Sequence, residues 1–226
     1  MQYPFSHRQL FSYRIFEQVE SKEVGDLAFF YFDDQGWLSN VVNAIIVLKK
    51  FYLNMNGMIE AVTNFLNATI EQLPRIVEIY NQAIPGKMAT ADLKPITVES
   101  RIDWFEAHDS DHRPLWLIEE KGEVVGWISL SDFYGRPAYD QTVEISIYID
   151  QSCQKLGLGQ KALHFVESQL SRLKIETVLA FIFDINQASQ RLFEKNGYGT
   201  WGHLPKIAHM EDRVIGLNIL GKTYRS

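Results

Sequence analysis

The string Gln154-Lys155-Leu156-Gly157-Leu158-Gly159 follows an alternating run, V-E-I-S-I-Y-I-D (143–150), and leads into an amphipathic stretch. Alternation marks a strand and the following 3.6-residue period a helix, so the glycines fall at a helix N-terminus. Several backbone N–H groups lack partners there, and the helix dipole is positive. With no side chains at 157 and 159 to screen them, these amides suit a phosphate or pyrophosphate. Glycine also serves simply to turn a chain from strand to helix, and residue types alone leave both uses open. Two nucleotide motifs do not fit. The dinucleotide fingerprint wants a third glycine where Ala162 stands, and a P-loop wants lysine where Gln160 stands.

Upstream, Glu144 interrupts the same strand on the side opposite Val143, Ile145, Ile147 and Ile149. A carboxylate so placed is either a general base or a solvated side chain on the wet face of a strand. Arg136, in G-R-P-A-Y, carries the planar fork that suits a carboxylate. Cys153 is the single cysteine, which excludes an internal disulfide framework and fits a reducing cytosol. It reads as a small buried residue near a strand end, with no partner constellation for a nucleophile.

These residues need elements to position them. A-V-T-N-F-L-N (61–67) reads as a short strand, and Thr69 with Gln72 forms a capping box that opens a helix carrying Leu73, Ile76, Val77 and Ile79/Tyr80. A second helix over T-V-E-S-R-I-D-W-F-E-A-H (97–108) puts Val98, Ile102 and Phe105 on one face. A hairpin turning through Lys121-Gly122 follows, then strand 142–149, helix 158–173 and the buried strand T-V-L-A-F-I-F-D. A helix opened by Asn186 and closed by Gly197 leads into a final long hairpin. The order is β-α-α-β-β-β-α-β-α-β-β, a mixed α/β fold.

The 226 residues are nearly half hydrophobic, enough for a sizeable core, and carry a net charge of −6 with no basic stripe, so nucleic acid is not an expected partner. Residues 1–57 are crowded with Phe and Tyr, hold no sustained period and lack a signal-peptide pattern. They read as a poorly defined extension, disordered or foreign to the native chain, with 58–226 as the domain. The most apolar window, 41–53, is broken by Lys49 and Lys50 and is shorter than the roughly 20 residues of a membrane helix. A soluble cytoplasmic protein is expected, with no membrane partner and no metal.

Q-K-L-G-L-G resembles the pyrophosphate loop of the GNAT superfamily of acetyl-CoA-dependent N-acetyltransferases, Q/R-x-x-G-x-G/A. Over residues 65–222 the chain resembles, more narrowly, the phosphinothricin and methionine sulfoximine N-acetyltransferase family. The strings that carry this are E-I-Y-N-Q-A (78–83), R-P-L-W-L-I-E-E-K-G-E-V-V-G-W-I-S-L-S (113–131), R-P-A-Y-D-Q-T-V-E-I-S-I-Y-I (136–149) and L-F-E-K-N-G-Y (192–198). The resemblance implies acetyl-CoA as co-substrate, held by backbone groups of Ile147, Tyr148 and Ile149, by the amides of Lys155, Leu156, Gly157, Leu158, Gly159 and Gln160, and by Asn186. It implies Glu144 as base and His209 as a substrate or proton-relay residue, with a backbone N–H near Ile147 as oxyanion donor. A small amino-acid-like amine would lie among Arg136, Tyr139, Phe133, Tyr134, Met88 and Thr90, with Trp104 and Phe105 completing the pocket. A homodimer is implied as well, and an acetyl-CoA-binding module without catalysis is the alternative. One departure stands out. Many superfamily members have a tyrosine where this chain has Phe193, and phenylalanine cannot protonate the leaving thiolate.

Overall fold

The computed structural model describes residues 62–224, which lie within one compact unit, Ile59–Ser226. Expectations for residues 1–57 fall outside the described residues. The elements are β1 (Thr63–Asn67), α1 (Leu73–Asn81), α2 (Ile102–Glu106), β2 (Leu115–Glu120), β3 (Glu123–Asp132), β4 (Thr142–Ile149), α3 (Leu158–Leu173), β5 (Thr177–Phe183), α4 (Gln187–Lys195), β6 (Gly199–His209) and β7 (Val214–Thr223). Their order is the one read from periodicity. The strands form a single seven-stranded sheet, β1-β2-β3-β4-β5-β7-β6.

Local signals explain most boundaries. The Gln72 side chain accepts the Thr69 backbone N–H at 2.7 Å, so the expected capping box is present, closing a 3-10 turn before α1. Lys121 and Gly122 both take positive φ, 54° and 83°, the pairing a tight two-residue hairpin demands. α3 spans the residues expected of it and buries Leu158, Ala162, Leu163, Val166, Leu170 and Leu173.

The second predicted helix differs. It is a 3-10 turn (Glu99–Arg101) followed by a helix of only five residues, too short to present a stripe. Ile102 is exposed, and Trp104 and Phe105 make the packing instead.

The sheet has two covered faces. Ile128, Leu130, Val143 and Ile145 pack with α3 in the main core. On the other face α1 lays Ile76 and Ile79 against Leu115, Leu117 and Trp127. The β4–β5 pair is parallel over Thr142–Glu144 alone, the last partners being Glu144 and Leu179. Beyond that point β4 stays on β3 and β5 stays on β7, so the sheet parts in its middle.

Candidate active site

Parting the strands exposes one edge of β4. In an antiparallel ladder, successive residues turn their N–H and C=O to opposite sides. Asp150 N–H donates to Val125 O at 2.9 Å, and Tyr148 O lies 2.7 Å from where a Gly126 Cβ would sit. Residues 144, 146, 148 and 150 therefore face β3. Ile145, Ile147 and Ile149 turn their backbone groups to the opening. Tyr148 departs from expectation, because its main chain is committed to β3. Its side chain reaches back instead, the hydroxyl donating to Ala89 O at 2.8 Å.

The strand delivers the chain to the glycine loop. Asp150 is buried and accepts Ser152 N–H at 2.9 Å, capping the short turn Gln151–Cys153. Arg75 of α1 ion-pairs with it at 2.7 Å and Gln82 donates to it at 3.0 Å. These partners hold its carboxyl far below the usual carboxylate range, with the Ser152 and Gln82 bonds the chief causes opposing desolvation. Lys155 and Gly157 then take left-handed backbone, φ 64° and 79°. Among the described residues, the backbone N–H groups from Lys155 to Gly159 have no acceptor, and a Cβ at Gly157 would meet open space. These are five donors at a helix mouth, the set an anion requires. Gln160 N–H is not part of it, because it already donates to Gly157 O at 3.0 Å. Gly159 has a second cause, since its Cβ would lie 2.8 Å from Leu192 Cδ2 where α3 meets α4.

Asn186 caps α4, its Oδ1 accepting Ser189 N–H at 3.1 Å, while its Nδ2 donates to Met88 O at 3.1 Å. Cys153 is free but only half-buried, less enclosed than the buried residue expected. Phe193 is core, edge-on to Tyr198 at 4.9 Å between ring centroids.

The register sets Glu144, Ser146 and Tyr148 opposite Ser131, Ser129 and Trp127, all on the face toward α1. They floor a pocket of about 210 Å³, walled by Ile76, Val77 and Tyr80 of α1 and by Ile96, Arg101 and Trp104. Glu144 has no hydrogen-bond or ion-pair partner among the described residues, and burial pushes its carboxyl above the ordinary glutamate range. A carboxylate in that state is a stronger base than a solvated one.

The other expected site residues are dispersed around this pocket. Phe133, Arg136 and Tyr139 line a separate recess of about 310 Å³ with Asp132, Gly135, Pro137 and Asp140. Tyr134 is exposed and packs edge-on against Phe133 at 4.8 Å. Phe133 also stacks with Phe181 at 6.4 Å, which places this aromatic group over the Glu144 face on the β5 side. Thr90 is buried behind the pocket, bonded to the Tyr80 hydroxyl, and Met88 is exposed. His209 is exposed at the end of β6 and lines neither recess. Sequence reasoning missed Arg101 and the serines at 129, 131 and 146. The alternation I-S-L-S against E-I-S-I was the available signal for a polar-floored face.

A family model described as acetyltransferase (GNAT) family matches residues 73–198. YwnH of Bacillus subtilis, named provisionally as a phosphinothricin acetyltransferase, is 45% identical over 151 residues, 66% of this chain and 92% of that protein. An L-methionine sulfoximine/L-methionine sulfone acetyltransferase of Salmonella typhimurium is 29% identical over 64% of this chain and 85% of that protein. Among solved structures, yncA from Salmonella typhimurium, determined with its cofactor acetyl-CoA, aligns with a TM-score of 0.67 at 26% identity, covering 73% of this chain and 95% of that one. The chain belongs to the GNAT acetyltransferase family. No helix among the described residues is long and apolar enough to cross a membrane.

Proposed function

We propose that this acetyltransferase moves the acetyl group of acetyl-CoA onto the free amine of a small amino-acid-like substrate of the phosphinothricin, methionine sulfoximine or methionine sulfone type. The observation that carries the reading is Glu144, a desolvated and unpartnered carboxylate at the last residue before the strands part.

The residues fit the co-substrate. The five free amides of 155–159 and the charge of Lys155 hold its pyrophosphate, Asn186 holds it from α4, and the Ile147 and Ile149 backbone groups pair with its pantetheine arm. Acetyl-CoA supplies the acetyl group as an activated thioester. Glu144 takes the proton that the attacking amine must lose, directly or through water; an α-amine, with pKa about 7.7–8.0, is partly protonated at neutral pH. The Ile147 N–H, turned into the opening, donates to the oxygen on which charge develops. Phe193 offers no proton, so CoA leaves as the thiolate or another group supplies the proton. Arg136 holds the α-carboxylate from the β3–β4 loop, with Phe133, Tyr134 and Tyr139 walling that side, Met88 at the far side and Thr90 acting from behind the pocket through the Tyr80 hydroxyl. His209 serves substrate binding or proton relay, and the enzyme works as a cytoplasmic homodimer.

The test is release of CoA thiol from acetyl-CoA across a panel of amines. Turnover with the three named amino acids is expected. Acetyl-CoA binding without turnover on any amine would replace this reading with a binding module.

A further inference from the structure

The proposed roles leave the charged wall of the Glu144 pocket without a task. Arg101 stands there with its guanidinium carbon 5.0 Å from the Tyr80 ring centroid and 5.5 Å from that of Trp104. Its side chain is 28% exposed, and its one ion-pair partner among the described residues is Asp92, at 3.5 Å. That distance is long for a hydrogen bond. Asp92 is itself fixed: its carboxylate accepts the Tyr80 hydroxyl at 2.6 Å, and its N–H donates to Thr90 Oγ1 at 3.1 Å. A guanidinium offers five N–H donors in a rigid fork. Held by two rings and touched at one edge by a carboxylate, Arg101 keeps most of that fork available inside the pocket. Such an arrangement is a receptor for an oxygen-bearing group.

Position decides which group. Tyr80 and Tyr148 lie 5.0 Å apart, and Trp104 and Trp127 5.6 Å, which puts the Arg101 stack at the Tyr148–Trp127 end of the floor. Glu144, paired with Ser131, lies four residues back along β4, about 13 Å of strand. An amine delivered to Glu144 carries its own α-carboxylate two bonds away, too near to span the floor. The end of a side chain several atoms long reaches much further along it, and the Glu144 and Arg101 side chains, both lining the pocket, close the remainder. We infer that Arg101 is a specificity-determining residue that receives the polar end of the substrate's side chain. This rests on the amino-acid reading proposed above. Carboxylate, phosphinate or sulfone oxygens pair with the waiting donors, whereas an aliphatic end leaves them unmatched, and a site built to hydrogen-bond rejects a ligand that cannot.

The test compares kcat/KM for three substrates that share one α-amino-acid head: phosphinothricin with an anionic end, methionine sulfone with neutral oxygens, and norleucine with an aliphatic end. Arg101→Met is expected to lower the first by about thirtyfold, since bonds to charged groups are worth about 1.5–3 kcal/mol. The second falls less, and norleucine changes by less than about threefold. Arg101→Lys keeps the charge and the ring contacts and shows the same order with smaller losses, which covers a methionine variant that fails to fold. A loss equal across the three substrates, or no loss at all, would overturn the inference by assigning Arg101 to the shared head or to no contact. A wild-type enzyme that acetylates none of the three would instead refute the amino-acid reading beneath it.

Discussion

Replacing Glu144 by glutamine tests the chemistry with little disturbance to the fold. The amide is nearly isosteric, and no described side chain donates to the Glu144 carboxylate, so nothing is orphaned by the change. A positioned general base is worth about 10²–10⁴-fold, and Glu144→Gln is expected to cost at least about 10²-fold in kcat near pH 7. Acetyl-CoA affinity should stay unchanged, because the carboxylate faces the α1 pocket while the open backbone edge belongs to Ile145, Ile147 and Ile149. In wild type, the acid limb of the rate profile should lie above the ordinary glutamate value, because burial raises this group. Stability gives a second readout. With its native pKa raised, Glu144 favours the fold most below the unfolded value of 4.5, and this contribution declines as pH rises through the native value. The variant does not titrate there, so its melting temperature relative to wild type should improve from pH 4 to pH 8. Thiol release measured over pH, with calorimetric acetyl-CoA titrations, checks the first part, and thermal melts check the second. A wild-type rate in the variant refutes the base assignment.

Three other perturbations separate binding from packing. Gly157→Ala places a methyl in open space but in left-handed backbone, and should cost about 1–2 kcal/mol, a fall of about 2–8 °C in a thermal melt. Gly159→Ala drives a methyl into Leu192 Cδ2 and should destabilise by about 1–3 kcal/mol; Leu192→Ala in the same chain should recover much of that in chemical denaturation, whereas it leaves Gly157→Ala unrescued. Asp150→Asn removes the Arg75 ion pair and weakens the turn before the glycine loop, so the acetyl-CoA Kd should rise several-fold with kcat at saturation nearly kept. Because the Asp150 carboxyl is held low in the fold, its stabilisation is present above the unfolded value of 3.8 and lost as pH falls below it; acid unfolding of the asparagine variant should be less steep over that window.

Much of the scaffold was legible because its signals are local. The alternation over 143–150, the 158–173 period, the Thr69–Gln72 box and the Lys121–Gly122 turn each act within a few residues, and each yields the element expected of it. Ile102 shows where local reading fails. Its spacing from Val98 and Phe105 suits a helical face, yet the helix lasts five residues and leaves it exposed. What sequence could not give is set by pairing at long range. β4 pairs with β5 only as far as Glu144 while β5 stays paired with β7 along its whole length, a long-range arrangement that no residue near Glu144 records. Arg75 reaches Asp150 across 75 positions of chain, and Arg101 shares a pocket with Glu144 only because α1 and the loop after it fold over β3 and β4.

The two glycines make the same point at the scale of one atom. Both report that a side chain is missing, and composition cannot say what fills the space. At Gly157 nothing described fills it, and the left-handed backbone there leaves the amides on either side without acceptors, as an anion site requires. At Gly159 a leucine from α4 fills it, so that residue is needed for α3 and α4 to approach even with no ligand bound. The cradle and the helix contact are therefore coupled through a single turn. A ligand gripping residues 155–159 acts on the start of α3, which Leu192 braces from α4, the helix that Asn186 caps. Acetyl-CoA should accordingly raise the melting temperature of Gly157→Ala less than that of wild type, because binding must then act through amides held at a strained residue. An equal rise in both would show that the diphosphate contacts lie outside this turn.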